Sequence, residues 1–359
     1  MLTIDFPFNG AILNHRHGRI DADGLSVTVR GSCPPYGHVT VNGIPARIDG
    51  HSYTAPLALA ALETDIVARY RGATGEMTCS VRVVFDRHSF PRYRVCLDDN
   101  SYFLRDIARK GYDSIFDCHY LALLQRLHRE YGAKFSCNIY YEADDGFALH
   151  EFPDRYRGEW AGCADWLGLT FHARADKPDR PYQYASPDIL LADMDLVLQE
   201  IERFAGPQSA IMPTVIHWGM VQPEALPALY ARGVRTLSGY FKRLGWGYDV
   251  HYWLDDARCG YLEGHGRLKD FETGIVFSRV DIVVNGTPLD RIAPTLACAL
   301  EPKADAEVID ILTHEQYFWD FYPAYLPDHP ERLDAALRWV TDRGYRPVFF
   351  HEGLMGASV

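Results

Sequence analysis

The chain has 359 residues, 47% of them hydrophobic, and a formal net charge of −12. Its length provides for two domains or for one barrel with an appendage. The acidic balance excludes the basic face that a nucleic acid or an anionic membrane requires, and no segment reaches the ~18–20 apolar residues of a membrane span.

Residues 1–88 carry short alternating segments with frequent turn signals. LSVTVRG (25–31), HVTVNG (38–43), ARIDG (46–50), TDIVARYRG (64–72) and MTCSVRVVF (77–85) read as strands, and Asn42-Gly43 and Asp49-Gly50 as tight turns. No helical period interrupts the series, so a small all-β sandwich is expected. Residues 86–92, with Pro91, read as the junction to a second domain over 89–359.

From residue 93 strands alternate with helices. Strand 93–99 is followed by a helix over 118–131, ended by Gly132, and by strands over 134–141 and 166–173. A helix from Pro187 to about Phe204, a strand over 211–219, a helix over 223–232 and a strand over 234–241 come next. After an excursion over 242–290, dense in Gly and aromatics, a helix (289–300), a strand (307–314), a helix (330–342) and a strand (347–353) complete the chain. Repeated strand–helix units imply parallel pairing by right-handed crossover, and about seven such strands predict a distorted (β/α) barrel. Neither GxGxxG after a first strand nor GxxxxGK[ST] occurs, which removes support for nucleotide-binding folds.

Barrel enzymes put their chemistry at the C-terminal ends of the strands. Those ends carry Asp98-Asp99, His172, His217, His314 and His351-Glu352. Adjacent residues on a strand point to opposite sides, so both acids serve one pocket only if the chain bends there. Otherwise Asp98, Asp99 and Asn100 begin a loop or cap a helix. His172 and Asp176, four residues apart, share a face in a helical or tight turn. Asp99, His172 and Asp176 then supply the three protein ligands of a catalytic divalent metal ion, zinc first, with Mn, Co, Fe or Mg compatible with so hard a set. Asp176 reads equally as a solvated loop acid beside Lys177.

These motifs resemble those of the polysaccharide deacetylase superfamily of carbohydrate esterases, over residues 93–353. In that family a strand ends in an Asp-Asp pair, matched by Asp98-Asp99 in CLDDN. The resemblance implies that Asp98 is the catalytic base and Asp99 a metal ligand. The family's His-Ser/Thr-x-x-x-His motif appears as His172-Ala-Arg-Ala-Asp176, with Asp in place of the second His, and its Leu-x-His motif as Leu312-Thr313-His314, which implies His314 as general acid. Arg180-Pro181-Tyr182 has the letters of the family's Arg-x-Pro region but follows His172 too closely; the strand where that motif belongs carries His217-Trp218 instead. His217 is left to orient the base, replace the missing ligand or contact substrate. Arg180, Tyr182, Trp218, Glu315 and His351 are candidates for substrate contact or support. Residues 1–88 resemble the immunoglobulin-like modules attached to many bacterial carbohydrate enzymes.

The activity implied is removal of acetyl (N- or O-acyl) groups from an oligo- or polysaccharide, with a water held by the ion as nucleophile. Two other readings stay open. One is a glycoside hydrolase or lyase using Asp98 or Glu315 without an essential metal; the other is a non-catalytic sugar-binding protein. Trp246, Tyr248, Tyr252, Trp253, Phe318, Trp319, Phe321 and Tyr322 either stack on sugar rings or pack in a core. Arg174 and Arg180 either read an acidic sugar or pair with nearby acids. The N-terminus lacks the basic start, apolar run and cleavage site of a signal peptide, so a cytoplasmic chain is the default expectation, or a secreted one if a leader has been removed. The eight cysteines form no CxxC pair; Cys96, Cys118, Cys137, Cys163 and Cys298 lie in apolar contexts that favour buried thiols, while Cys33 and Cys79 share the β-rich region and can approach one another.

Overall fold

The structure, a computed structural model, describes residues 1–73, 75–245, 247–301 and 307–354. Trp246 lies outside the described residues. The first 88 residues form nine strands: β1 (Ile12–Leu13), β2 (Arg19–Asp21), β3 (Gly24–Ser32), β4 (Gly37–Val41), β5 (Ile44–Pro45), β6 (Arg47–Asp49), β7 (Ser52–Leu59), β8 (Glu63–Gly72) and β9 (Gly75–Phe85). They pair as two sheets, β1-β9-β8-β4-β5 and β2-β3-β7-β6, antiparallel except for β1 with β9. Alternation decides which side is buried. Leu25, Val27 and Val29 of β3 and Ile66, Ala68 and Tyr70 of β8 fall in one buried cluster, while their neighbours face out. Asn42 and Gly43 both take positive φ (47° and 83°), as the two-residue turn between β4 and β5 requires. Strand β7 escapes sequence reasoning because Pro56 interrupts it. The pairing of β6 with β7 stops at Thr54, so no partner on that side needs the missing N–H.

The remaining residues form β10 (Arg92–Asn100), α1 (Tyr102–Lys110), α2 (His119–Tyr131), β11 (Phe135–Tyr140), α3 (Arg157–Cys163), β12 (Leu167–Ala173), α4 (Pro187–Phe204) and α5 (Ala225–Ala231). Then come β13 (Thr236–Gly239), β14 (Lys242–Leu244), β15 (Gly247–Asp249), α6 (Asp256–His265), β16 (Arg267–Lys269), β17 (Val276–Arg279) and β18 (Ile282–Val283). Helix α7 (Ile292–Ala299), β19 (Val308–His314), α8 (His329–Thr341) and β20 (Arg346–Pro347) end the series. Helix α4 starts at Pro187, whose absent N–H costs nothing in a first turn, and buries Leu190, Met194, Val197, Ile201 and Phe204 along one stripe. Gly132 (φ 67°) ends α2 in the left-handed conformation.

Parallel strands pair in the order β12-β11-β10-β19-β18, with β20 beside the start of β10. A second sheet pairs β13 with β17 in parallel and β17 with β16 antiparallel. The expected barrel of about seven parallel strands is therefore not closed by a continuous ladder among the described residues. The strand expected over 211–219 is absent because Pro213 lacks a donor. That segment makes only scattered contacts: the N–H of Ile211 to the Leu169 carbonyl (3.0 Å) and the N–H of Ser238 to the Thr214 carbonyl (2.7 Å). The last expected strand stops at Pro347 and turns.

Period-two alternation organises the inside of this curved sheet. Tyr93, Val95 and Leu97 of β10 join the large buried cluster that also holds residues of α2, α4 and α8. Arg94, Cys96 and Asp98 point the other way. So do Ser136, Asn138 and Tyr140 of β11, Thr170 and His172 of β12, and Asp310, Leu312 and His314 of β19. Arg94 donates to both Asp310 carboxylate oxygens (2.6 Å each), deep below the strand ends. The first 88 residues reach this body through an N–H···O bond from Lys269 to Gly10 (2.8 Å) and the stacking of Phe8 on Tyr261 (4.6 Å between ring centroids). A side chain at Gly10 would run into the Lys269 carbonyl.

Candidate functional site

At the C-terminal end of β10 the ladder with β11 slips between Leu97 and Asn100, and Asp99 takes φ 61°. This is the bend that lets consecutive acids face one pocket. It is held by Asn100, whose side-chain amide donates to the carbonyls of Leu97 and Asn138 and accepts from Tyr120 Oη (3.0 Å). Asp98 lies opposite His314 in the β10–β19 register. Both acids, His172, His217 and His314 line a cavity of about 340 Å3.

The donor atoms of Asp99, His172 and His217 lie within 4.8 Å of one another. His172 Nε2 is 3.0 Å from Asp99 Oδ1 and 3.0 Å from His217 Nδ1; His217 Nδ1 is 3.5 Å from Asp99 Oδ1. One carboxylate and two imidazoles is a donor set that suits a divalent ion, so this His/Asp cluster can bind a metal. His217 joins Asp99 and His172 in this cluster, and Asp176, the expected third ligand, lies beside it. Asp176 sits at the cavity wall, 3.8 Å from His217 Nε2. The loop after β12 carries it past the cluster rather than winding it back as a helical turn.

Burial opposes ionisation of Asp99, yet the hydrogen bond from His172 and the neighbouring imidazoles hold its carboxyl well below the ordinary range. For Asp98 burial wins and the pKa rises, in spite of His172 and His314. Burial, then His172, lowers His217 to about 3, leaving it neutral and able to donate a lone pair. Asp98 Oδ1 accepts from Asn138 Nδ2 and from the Cys96 thiol (2.9 Å each), and Thr214 donates to Asn138 Oδ1 (3.0 Å), fixing that amide. His314 Nδ1 is 2.9 Å from Asn285 Oδ1, which selects the tautomer with Nδ1–H and frees Nε2.

Other sequence candidates land elsewhere. Trp218 lines the cavity and is 39% exposed. Arg180 lies over the Trp218 ring (5.0 Å) and forks onto Asp249; Arg174 pairs with Glu142 (2.9 Å). Tyr182 is buried and bonded to Asp193 (2.9 Å), away from the cavity. His351 stacks on Phe349 outside the lining, since β20 ends too early to reach it. Glu315 is fully buried and takes three backbone N–H groups, from Ser101 (2.7 Å), Tyr102 (2.9 Å) and Phe103 (2.6 Å), plus Trp319 Nε1 (3.1 Å). It caps α1 and ties the end of β10 to the end of β19; it does not face the cavity. Among the aromatics, Tyr248, Tyr252, Phe318 and Trp319 are buried, Trp253 and Phe321 exposed, and Tyr322 lines the cavity. All eight cysteines are free, so Cys33 and Cys79 are not joined, and Cys298 is exposed rather than buried.

Sequence reasoning missed Tyr140, Asn138 and Asn285. Alternation within SCNIY is the signal for the first two: Asn138 and Tyr140 share a face, opposite Cys137 and Ile139. Tyr140 Oη contacts Asp99 Oδ1 and lies 3.0 Å from His217 Nδ1 and 3.3 Å from Asp176 Oδ1.

No family model matches the chain, and no curated protein matches it. Among solved structures it is similar to a 4-α-glucanotransferase from Thermococcus litoralis, at 12% identity and TM-score 0.45, covering 74% of this chain and 39% of that one. It is also similar to a carbohydrate acetylesterase from Xanthomonas citri (12% identity, TM-score 0.17, 74% of each chain). A modular endo-β-1,4-mannanase from Cellulomonas fimi matches at 18% identity and TM-score 0.18, over 24% of this chain and 18% of that one. At such scores these likenesses decide nothing about this chain. No described helix is long and apolar enough to cross a membrane.

Proposed function

We propose that the chain is a metal-dependent hydrolase that removes acetyl groups, N- or O-linked, from a carbohydrate. The observation that carries this reading is the convergence of Asp99, His172 and His217 beside buried Asp98, with His314 across the register. Asp99, His172 and His217 would hold a divalent ion, which when bound would supply Lewis acidity toward a water and a carbonyl oxygen. Asp98, oriented by Asn138, takes the proton of the attacking water. The bond from the acyl carbon to nitrogen or oxygen then breaks, and His314, which for this step carries a second proton taken up from solvent at Nε2 while Asn285 holds its Nδ1–H, gives that Nε2 proton to the leaving amine or alcohol. The products are acetate and the free sugar amine or hydroxyl.

Substrate charge follows from the lining. It carries Asp98, Asp99, Glu142, Asp144, Asp176 and Asp179 against one lysine, Lys177. Arg174 and Arg180 are already paired, so a neutral or cationic sugar is favoured over an acidic one. The rival glycosidase reading loses Glu315, whose lone pairs are spent on backbone donors. In the same proposal residues 1–88 are an immunoglobulin-like sandwich module and 89–359 the catalytic domain. No lining residue precedes Cys96, so the module acts as a spacer rather than a pocket wall. The test is acetate release from a panel of acetylated oligosaccharides, with and without chelator. Release that chelator abolishes and added zinc restores is expected; glycosidic cleavage without acetate would overturn the proposal.

A further inference from the structure

Trp218 is exposed, large and held in a strained backbone. It follows His217 directly, lines the cavity and is 39% exposed; among the described residues it is the one large exposed apolar side chain on that lining. Its φ is 64°, which a bulky residue adopts only under constraint. The constraint is visible. Gly219 N–H donates to the Ile216 carbonyl (2.6 Å), Tyr252 N–H donates to the Gly219 carbonyl (2.9 Å), and a Cβ at Gly219 would strike Val250. The segment that braces this turn is itself bent, with positive φ at Val250 (51°), Tyr252 (52°) and Trp253 (57°).

The ring is held as firmly as the turn. Arg180 lies over it at 5.0 Å and is itself pinned by Asp249, Nη1 to Oδ1 (2.8 Å) and Nη2 to Oδ2 (2.9 Å). The His217 ring is 6.1 Å away between centroids. For stability alone a glycine would serve better here, since it takes that φ without steric cost. A rigid indole at a cavity mouth is useful when a ligand covers it. Distance sets which part of the ligand does so. An acyl carbon attacked beside His217 is separated from its sugar ring only by the amide nitrogen or ester oxygen. The pyranose that bears the acyl group therefore comes within reach of the indole. Its axial C–H groups give it an apolar face, which an aromatic face can cover.

We infer that Trp218 is the sugar-binding platform of the site: its indole stacks on the apolar C–H face of the pyranose that carries the acyl group. The site thereby selects acylated carbohydrate over simple acyl compounds. This deepens the hydrolase reading above and rests on it. Arg180 then braces the indole and does not read an acidic sugar.

The experiment compares the full chain with Trp218→Gly and Trp218→Phe, on the panel of acetylated oligosaccharides and on ethyl acetate, which has an acyl group and no ring. Oligosaccharide binding is followed by calorimetry on chelator-treated protein, so that hydrolysis does not intervene. Trp218→Gly is expected to keep the wild-type zinc content and to melt no lower, because glycine relieves the φ. It is expected to bind oligosaccharide about tenfold more weakly and to lose the same factor in preference for sugar over ethyl acetate, through KM rather than kcat. Trp218→Phe, which keeps a flat face, is expected to recover most of that affinity. Wild-type affinity in Trp218→Gly overturns the inference and leaves the hydrolase reading to stand on acetate release. A lower melting transition with loss of zinc also overturns it, for the side chain then serves packing. Trp218-dependent binding without acetate release from wild type sinks the hydrolase reading and supports the sugar-binding role. Absence of oligosaccharide binding by wild type overturns both.

Discussion

Strands β8 and β10 are of similar length and buried very differently. In β8 every second side chain of the central stretch is buried and its neighbours face outward. In β10 eight of nine residues are buried, including Arg94, Asp98 and Asn100. A one-sided strand needs only apolar residues on its inner face. A two-sided strand covers one face with helices and turns the other into an enclosed space where polar groups must find partners. Arg94 finds Asp310, Asp98 finds Asn138, and Asp99 finds His172. Charge buried at such cost, near strand ends and beside a cavity, marks where binding and chemistry are to be sought.

The largest expected effect separates these two kinds of burial. Asp98→Asn or His314→Ala should lower kcat on the acetylated substrate by about 10²–10⁴, with an unchanged melting transition. In the β-rich region, Leu25→Ala should cost about 2–5 kcal/mol of stability and leave kcat at permissive temperature untouched. Denaturant titration and acetate release on the same samples check both. If Leu25→Ala, kept folded, abolished turnover, the two regions would not be divided as described.

Glu315 sharpens the comparison, since it is buried charge that serves the fold. Glu315→Ala leaves three backbone donors and an indole N–H without an acceptor and should cost roughly 3 kcal/mol. Metal content should stay at the wild-type level once the variant is folded.

A smaller effect comes from pH. His329 is fully buried, stacked on Phe318 at 3.9 Å, and burial lowers its pKa to about 3. Unfolded, it titrates near 6.5. Between about 3 and 6.5 the unfolded chain binds a proton that the folded chain refuses, so stability falls as pH drops through that window. His217 adds in the same direction. Burial raises Glu315 to about 7, which acts in the opposite direction, so the check is a difference: the change in unfolding free energy from pH 7 to pH 5 should be less destabilising in His329→Gln than in wild type. An equal or larger loss on acidification in His329→Gln would contradict this.

Much of the site was legible in the letters. Asp98-Asp99 lies one residue inside the end of β10, His172 one residue inside the end of β12 and His314 at the end of β19, close to where the strand patterns predict, and Ser186-Pro187 and Gly132 mark helix boundaries where expected. What escaped depends on the third dimension. Asp176 fits a ligand motif by spacing, but its loop is not a helix, and spacing has meaning only within a regular turn. His217 reaches the cluster through an irregular segment, where Trp218 takes φ 64° and Pro213 forbids a ladder. Asn285 is brought to His314 from 29 positions away by the pairing of β18 with β19. No local pattern encodes such a contact. Glu315, adjacent to a catalytic candidate, looks catalytic in one dimension and proves to be a helix cap in three.

The identity of the third ligand tests the central claim most directly. Wild type, Asp176→Ala and His217→Ala should be equilibrated with zinc, freed of excess and assayed for bound ion by elemental analysis. One ion per chain is predicted for wild type and Asp176→Ala, and close to none for His217→Ala. Zinc retained by His217→Ala but lost from Asp176→Ala, or no zinc in wild type, would contradict the account.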